Sequence, residues 1–369
     1  MDVGAANPAL NRNHVHPMPV KWAKRSTQDY IVEILSSLDD KIDINRQTNQ
    51  TLEQMAQAIF KCWFVDFEPV RAKAHVKGLG GGCQQCEMAA QAVIAAALPL
   101  SAITEENELA TLDKNLTQAL ESTWAKQTDE QKTKLAETAM HFPDGLVESE
   151  LGEIPVGWEW KKLDSLCEKI SKGTTPRKID IKNALDQKCI PFIKVKDIDN
   201  MGNVCLDGIE FISQSINQGT LKRSILQLDD VLFSIAGTIG RMATVTFDLV
   251  GANTNQALAF IRLKDKKSFF QICRLNLSSK RIQESILSKI VQGVQANVSL
   301  SSLGDLDVIV PNYLVLNDFN KLVAQMFNTQ RCLIEEIDVL RKIRDTLLPK
   351  LLSGELSVTD MDIPHTEAN

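Results

Sequence analysis

IVEILSSLDDKIDINRQTNQTLEQMAQAIFKCW, residues 31–63, is the stretch whose reading decides the fold. Ile31, Leu35, Leu38, Ile42, Asn45, Asn49, Leu52, Ala56, Ile59 and Trp63 recur at alternating steps of four and three. That is the heptad seam of a helix packed along another helix. Two asparagines inside it weaken burial but can fix register and partner choice. The frame returns 288 residues later as Phe319, Val323, Met326, Gln330, Leu333, Ile337, Leu340, Arg344, Leu347 and Leu351. TLEQMAQAIF at 51–60 falls over VLRKIRDTLL at 339–348. At about 1.5 Å per residue the first seam reaches roughly 50 Å. The repeat predicts two rods in an antiparallel coiled coil that brackets the intervening chain. A bent amphipathic helix lying on a globular core is the alternative.

Bulk properties narrow the class. The chain has 369 residues, 44% hydrophobic and 24% charged, enough for two domains of ordinary composition. No apolar run reaches the roughly 18 residues of a spanning helix. Eight cysteines lie scattered without a disulfide-like spacing, which points to reduced thiols and a cytoplasmic location. The formal net charge of −6 is uneven: residues 151–311 hold 21 Lys and Arg against 17 Asp and Glu. The acidity therefore belongs to the helical parts, and the middle of the chain is basic enough to permit DNA binding.

Between the rods the texture changes twice. Residues 1–26 read as an arm without periodicity, and His14 and His16 lack a third ligand for a metal. The first conserved helix is assigned to 27–68, and 69–157 to an acidic helical segment and linker. KGLGGG at 77–82 reads as a flexible loop that lacks the Lys-Ser/Thr ending of a phosphate cradle. Cys83 and Cys86 form a CxxC without the four ligands of a zinc site. Pro99 stops one helix, Thr104 can cap the next, and Thr128 can cap a third. HFPDGLVESELGEIPVGWEW at 141–160 reads as a linker anchored by Trp158 and Trp160. From 158 to 311, β-prone runs alternate with Gly-, Asn-, Asp- and Ser-rich separators: CIPFIKV (189–195), VLFSIA (231–236), ATVTF (243–247) and ALAFIRL (257–263). Residues 268–290 predict one or two helices, and 298–311 a helical turn and a final strand. The second rod, 312–357, is expected to open near Asp318 under a cap from Asn317 or Asp318. A tail, 358–369, follows. The fold class is α+β: a mixed α/β domain flanked by two long helices.

Several phrases together resemble the specificity subunit of type I restriction–modification enzymes. They are SLDDKIDINRQTNQTLEQMAQAIFKCWFVDFEPV (37–70), FPDGLVESELGEIPVGWEW (142–160), IPFIKVKDI (190–198), VLFSIAGTIGRMATV (231–245), NQALAFIRL (255–263) and RDTLLPKLLSGEL (344–356). The resemblance covers most of residues 30–357, and the order and spacing of these phrases carry it. It implies a non-catalytic subunit that reads double-stranded DNA through a target-recognition domain. It also implies methyltransferase subunits docked along the conserved helices, with a restriction/translocase subunit as a further partner. No cofactor is expected on this chain; S-adenosylmethionine would sit on the methyltransferase. Such a subunit has two recognition domains, whereas only residues 1–26 precede the first rod here. The expectation is therefore a second half of a reader, able to form a homodimer through its rods and to recognise a palindrome.

A reader must neutralise phosphates and contact base edges. The candidates are Thr174, Thr175, Arg177 and Lys178 in the GTTPRK loop, then Lys194 and Lys196 at a strand end, expected on one side, and Arg223 and Arg241 near turns. Gly237 and Gly240 admit a close phosphate beside the Thr238 hydroxyl, although hairpin geometry also explains the glycines. Asn253, Asn255 and Gln256, then Gln292, Gln295 and Asn297, supply amides that can pair with adenine; Asn253–Gln256 also fits a plain turn. No enzyme signature stands beside them: there is no G-x-G-x-x-G after a strand, no H-E-x-x-H and no G-x-S-x-G. A coiled-coil adaptor without sequence-specific DNA binding is the competing reading.

Overall fold

The computed structural model describes residues 12–18, 23–184, 186–199, 201–291 and 297–356. A short helix α1 (Arg12–Val15) precedes the first rod, α2 (Arg25–Phe64). Five helices follow: α3 (Glu68–Gly78), α4 (Cys83–Ile94), α5 (Leu100–Thr104), α6 (Leu109–Trp124) and α7 (Asp129–His141). Then come β1 (Leu146–Ser149), β2 (Gly152–Pro155), β3 (Glu159–Lys162), α8 (Leu163–Leu166), β4 (Cys167–Lys172), α9 (Lys178–Asn183), β5 (Lys188–Ile193), β6 (Glu210–Ser213) and α10 (Gln214–Gln218). The sheet-rich part continues with β7 (Val231–Ser234), β8 (Met242–Thr244), β9 (Asn253–Thr254) and β10 (Leu258–Leu263). It closes with α11 (Lys266–Ser278), α12 (Lys280–Val291), α13 (Leu300–Gly304) and β11 (Asp307–Val310), and α14 (Tyr313–Ser353) is the second rod.

The chain divides into two compact units, one made of residues up to Thr51 with those from Asn328, the other of Leu52–Phe327. In the first, the outer lengths of α2 and α14 pair along the seam that the sequence marks. Ile31, Ile42, Asn45, Asn49, Ile337 and Leu351 are buried, and Leu35, Leu38, Gln330, Leu333, Leu340, Arg344 and Leu347 are half-buried. The direction is antiparallel. Arg344 Nη1 meets Asp39 Oδ1 at 2.8 Å, Lys41 Nζ meets Glu336 at 3.4 Å, and Gln330 Nε2 donates to the Asn49 carbonyl at 2.8 Å. As residue numbers rise on α2, those of their partners fall on α14. Asn45 Nδ2 and Asn49 Oδ1 are buried without a hydrogen-bond partner among the described residues.

In the second unit the inner seam widens into an aromatic core. Ala56 and Trp63 are buried with Phe319 and Val323, while Leu52, Ile59 and Met326 are half-buried. Phe64 and Phe319 meet edge-on at 4.7 Å between ring centres, and Trp63 meets Phe142 at 5.0 Å. Rings offset in this way gain from their quadrupoles beyond the area they bury. Glu53 and Arg274 bridge α2 to α11 at 2.7 Å.

The segment after α2 packs around its own core of Ala72, Val76, Ala89, Ile103, Leu112, Leu116 and Leu120. Thr128 caps α7: its hydroxyl accepts from Gln131 N–H while the Gln131 side chain accepts from Thr128 N–H. Thr104 does not cap α6. It sits inside α5 with its hydroxyl on the Leu100 carbonyl, and Glu108 occupies the cap position. KGLGGG is also not a slack loop: Lys77 and Gly78 belong to α3, and a Cβ on Gly81 would lie 2.5 Å from Val76 Cγ1. The expected linker at 141–160 holds the β1–β2 hairpin and β3, because LVES and GEIP pair across a tight turn with Gly152 at φ +101°. Trp158 is buried in the aromatic core, and Trp160 packs against it with Arg281 over its ring.

Four strands form the main sheet in the order β4–β10–β7–β8, antiparallel throughout. Every residue of β10 and β7 is buried, which is why LAFIRL and VLFS show no alternation of apolar and polar residues. Arg262 in β10 is no exception: its guanidinium grips Asp230 through Nε and Nη2 at 2.9 and 2.7 Å. A second sheet has the order β6–β5–β9, with β9 parallel to β5. β3 pairs with β11, bringing the two ends of residues 158–311 together. The last rod starts earlier than expected. Asn312, not Asn317 or Asp318, caps it by accepting the Val315 N–H at 3.0 Å.

Candidate nucleic-acid interface

Strand direction in the main sheet decides where the loops emerge. Lys172 ends β4 opposite Ala259 near the start of β10, Ser234 ends β7 opposite Leu258, and Met242 begins β8 opposite Phe233. The loop after β4, the β7–β8 loop and the segment before β10 therefore leave from one end of the sheet. Two further segments join them. Val298 N–H donates to the Ile235 carbonyl at 2.9 Å, and Arg241 Nη1 donates to the Ile198 carbonyl at 2.9 Å. Five loops thus converge, carrying Thr174 to Lys178, Lys194 to Ile198, Ile235 to Arg241, Asn253 to Ala257, and Asn297.

Their roles differ. Thr174 N–H donates to the Thr254 carbonyl at 3.1 Å, and Thr175 Oγ1 donates to Gln256 Oε1 at 2.6 Å. Thr174, Thr175, Arg177, Lys178 and Gln256 are exposed. Arg177 makes a bidentate pair with Asp180 at 2.9 Å through both nitrogens, which holds that carboxyl below its ordinary range. Lys196 is exposed, and the nearest carboxylate oxygen, on Asp197, is 4.0 Å away. Lys194 serves the fold instead. Half-buried, it pairs with Glu210 and lowers the pKa of that carboxyl by hydrogen bonding. The expected alternation of Lys194 and Lys196 along a strand does not occur, because β5 ends at Ile193 and Val195–Asp197 is a 3-10 turn.

Four further candidates serve the fold. Asn253 is fully buried and fully paired: its amide donates to Asn217 Oδ1 and the Leu221 carbonyl, and its Oδ1 accepts from Ser224 and the Thr254 N–H. No donor or acceptor of that side chain is left for a base. Arg241 ties the β7–β8 loop to the backbone at Val195 and Ile198. Gly237 and Gly240 take φ of +75° and +88°, a left-handed backbone that glycine adopts without a steric penalty. Hairpin geometry accounts for the pair. Ser234 organises this loop, donating to the Thr238 carbonyl at 2.5 Å and accepting the Arg241 N–H at 2.7 Å. Thr238 itself is exposed.

Asn255 folds back on its own turn, its Oδ1 accepting the Ala257 N–H at 3.1 Å. Asn297 is exposed at the converging end. Arg223 is exposed; its carbonyl accepts from Lys169 of β4, and the next residue, Ser224, donates to Asn253 Oδ1. Gln292 and Gln295 lie outside the described residues. Sequence reasoning passed over Gly173. A Cβ there would lie 1.8 Å from the Thr254 carbonyl oxygen, so only glycine lets the two loops touch. Its place directly before TTP was the available signal. Among the described residues, no three His, Cys, Asp or Glu side chains group as metal ligands, and no helix is long and apolar enough to cross a membrane.

Residues 155–314 match the family model described as the type I restriction modification DNA specificity domain. The chain is 32% identical over 362 residues to the type I restriction enzyme HindI specificity subunit of Haemophilus influenzae, covering 95% of this chain and 71% of that protein. The chain belongs to the specificity subunits of type I restriction enzymes. A second relative of this family, the MjaIX specificity subunit of Methanocaldococcus jannaschii, is 25% identical over 97% of this chain and 65% of its own length. Among solved structures, the type I restriction–modification S subunit from M. genitalium aligns with a TM-score of 0.45 at 12% identity, over 89% of this chain and 61% of that one. An HsdS subunit from Thermoanaerobacter tengcongensis aligns at 0.34 and 17% identity, over 67% and 56% of the two chains. In this specificity subunit the matched domain runs from β2 to the first turn of α14 and contains all five converging loops.

Proposed function

We propose that this specificity subunit reads a short duplex DNA sequence with the converging end of its main sheet, without catalysis of its own. The observation that carries the reading is the meeting of five loops at one sheet end, on which Lys178, Lys196, Thr175 and Gln256 are all exposed. Exposed ammonium groups neutralise phosphates, and hydroxyl and amide groups read base edges. Methyltransferase subunits, which would carry S-adenosylmethionine, dock on the paired rods.

The heptad frame supports a docking face. In an antiparallel pair the positions flanking the seam on one side of both helices adjoin each other, and the Lys41–Glu336 bridge marks that side. Tyr30 and Ile44 on α2, with Val339 and Ile343 on α14, occupy the same flank and are exposed. An apolar strip of this kind on a polar two-helix unit suits the apolar face of a partner helix.

Binding of labelled duplex by the assembled complex, titrated against salt, tests the reading. A protein that neutralises several phosphates loses affinity steeply, with a log–log slope of about −0.9 per phosphate. Lys178→Ala and Lys196→Ala are each expected to reduce that slope by about one contact. Unchanged slopes in both variants and in the double variant would remove the proposed face.

A further inference from the structure

Every amide on the turn before β10 was offered by the sequence as a base reader, and the structure separates them. Asn253 is consumed in a buried network, and Asn255 is half-buried with its Oδ1 turned onto the Ala257 N–H of its own turn. Gln256 alone of the three is exposed, and its amide N–H groups have no hydrogen-bond partner among the described residues. The side chain is nevertheless held. Thr175 Oγ1, from the loop after β4, donates to Gln256 Oε1 at 2.6 Å. The two backbones beneath are locked as well, by the Thr174 N–H on the Thr254 carbonyl and by the close approach at Gly173.

We infer that Gln256 is a specificity-determining residue that selects an adenine in the major groove, and that Thr175 is its positioning residue. This inference rests on the DNA-reading face proposed above. Thr175 Oγ1 donates to one of the two acceptor sites of Gln256 Oε1 and anchors that end of the amide. A hydroxyl can equally accept an N–H, so the anchor holds the side chain in place, and in either orientation the amide keeps one acceptor and one donor for a base edge. The remaining lone pair on Oε1 and an N–H on Nε2 form an acceptor beside a donor. Adenine offers the complement in the major groove, an N6–H donor beside the N7 acceptor. Guanine presents two acceptors there, O6 and N7, and O6 would face the amide oxygen. A free glutamine on a surface loop samples many rotamers; one tethered to a second loop presents its amide edge in one place. The tether also lowers the rotamer freedom lost when a long side chain is ordered on binding.

The test uses the assembled methyltransferase complex and reads the methylated motif by sequencing modified DNA. Gln256→Ala is expected to relax one adenine position of the motif by about tenfold or more, leaving the other positions and the salt slope unchanged. Thr175→Val relaxes the same position to a lesser degree, whereas Thr175→Ser retains the parent motif because it keeps the hydroxyl. Parent-like circular dichroism of these surface variants checks that the fold is intact. If Gln256→Ala leaves the motif unchanged while Lys178→Ala and Lys196→Ala still reduce the salt slope, the inference fails and the face stands. If neither set of variants changes its readout, the face fails with it. Relaxation at a G·C pair instead of an A·T pair would overturn the adenine assignment.

Discussion

The buried pair of Arg262 and Asp230 offers the sharpest test of how the reading domain is held. Asp230 is 0% exposed and Arg262 6%, and two hydrogen bonds of 2.9 and 2.7 Å join them. Each also serves the backbone: Arg262 Nη2 donates to the Ile225 carbonyl at 3.1 Å, and Asp230 Oδ2 accepts the Gln227 N–H at 2.8 Å. Replacing Arg262 by alanine strands a carboxylate in the sheet core and orphans a carbonyl. Breaking a buried pair from one side costs about 3–5 kcal/mol, about a fifth or more of a typical domain's stability of about 5–15 kcal/mol. Removing both charges with Arg262→Met and Asp230→Leu should do less harm than the two single changes summed, because no unpaired charge remains. It should not be neutral, since the Gln227 N–H and the Ile225 carbonyl each lose a partner at about 1–3 kcal/mol. Urea titrations followed by tryptophan fluorescence and far-ultraviolet circular dichroism give the four stabilities of the cycle. A loss under about 1 kcal/mol for Arg262→Ala would refute the energetic role argued from this geometry. So would a double variant as unstable as the sum of the singles.

Three other perturbations probe separate features. Asn45→Leu with Asn49→Leu removes two buried amides that lack full partners. The change should raise the thermal midpoint of the rods while loosening their register, read as a lower disulfide yield between cysteines placed at Lys41 and Glu336; a lower midpoint would contradict it. Gly173→Ala brings a Cβ within 1.8 Å of the Thr254 carbonyl oxygen. Overpacking of this kind costs about 1–3 kcal/mol and should weaken duplex binding; parent-like affinity would show that the loops do not need that contact. Thiol alkylation at pH 8 should modify exposed Cys189 and Cys332 first. Burial pushes the Cys167 thiol up to about 12 and raises that of Cys273 further, and a Glu87 hydrogen bond raises Cys83. A raised thiol pKa means less thiolate at a given pH, so Cys83 should lag and gain rate as pH rises. Equal labelling of all sites in the native chain would contradict this ordering.

How far the residues foretold this arrangement depends on the range of the forces involved. The seams were legible because a heptad repeat is local and periodic: each position's environment follows from neighbours three and four residues away. The fully buried strands were legible for a related reason, since VLFS and LAFIRL have no solvent-exposed face and are mostly apolar. What remained hidden was set by contacts between distant segments. Nothing near Asn253 announces Asn217 or Ser224, 36 and 29 residues away, so a structural asparagine and a base-reading one look alike in sequence. The structural tie of Arg241 was hidden for the same reason, because two acceptors of its Nη1 lie on a turn 43 and 46 residues earlier. Gly173 illustrates the converse: the steric demand comes from Thr254, and the sequence records only the glycine that satisfies it. For a reading surface this has a particular consequence. Its side chains must leave donors and acceptors open for DNA, while the loops beneath must be over-determined to present them in one geometry. The same polar residue types do both jobs in this chain. Asn253 and Gln256, three positions apart, are assigned to opposite ones by which partners the rest of the fold delivers to each.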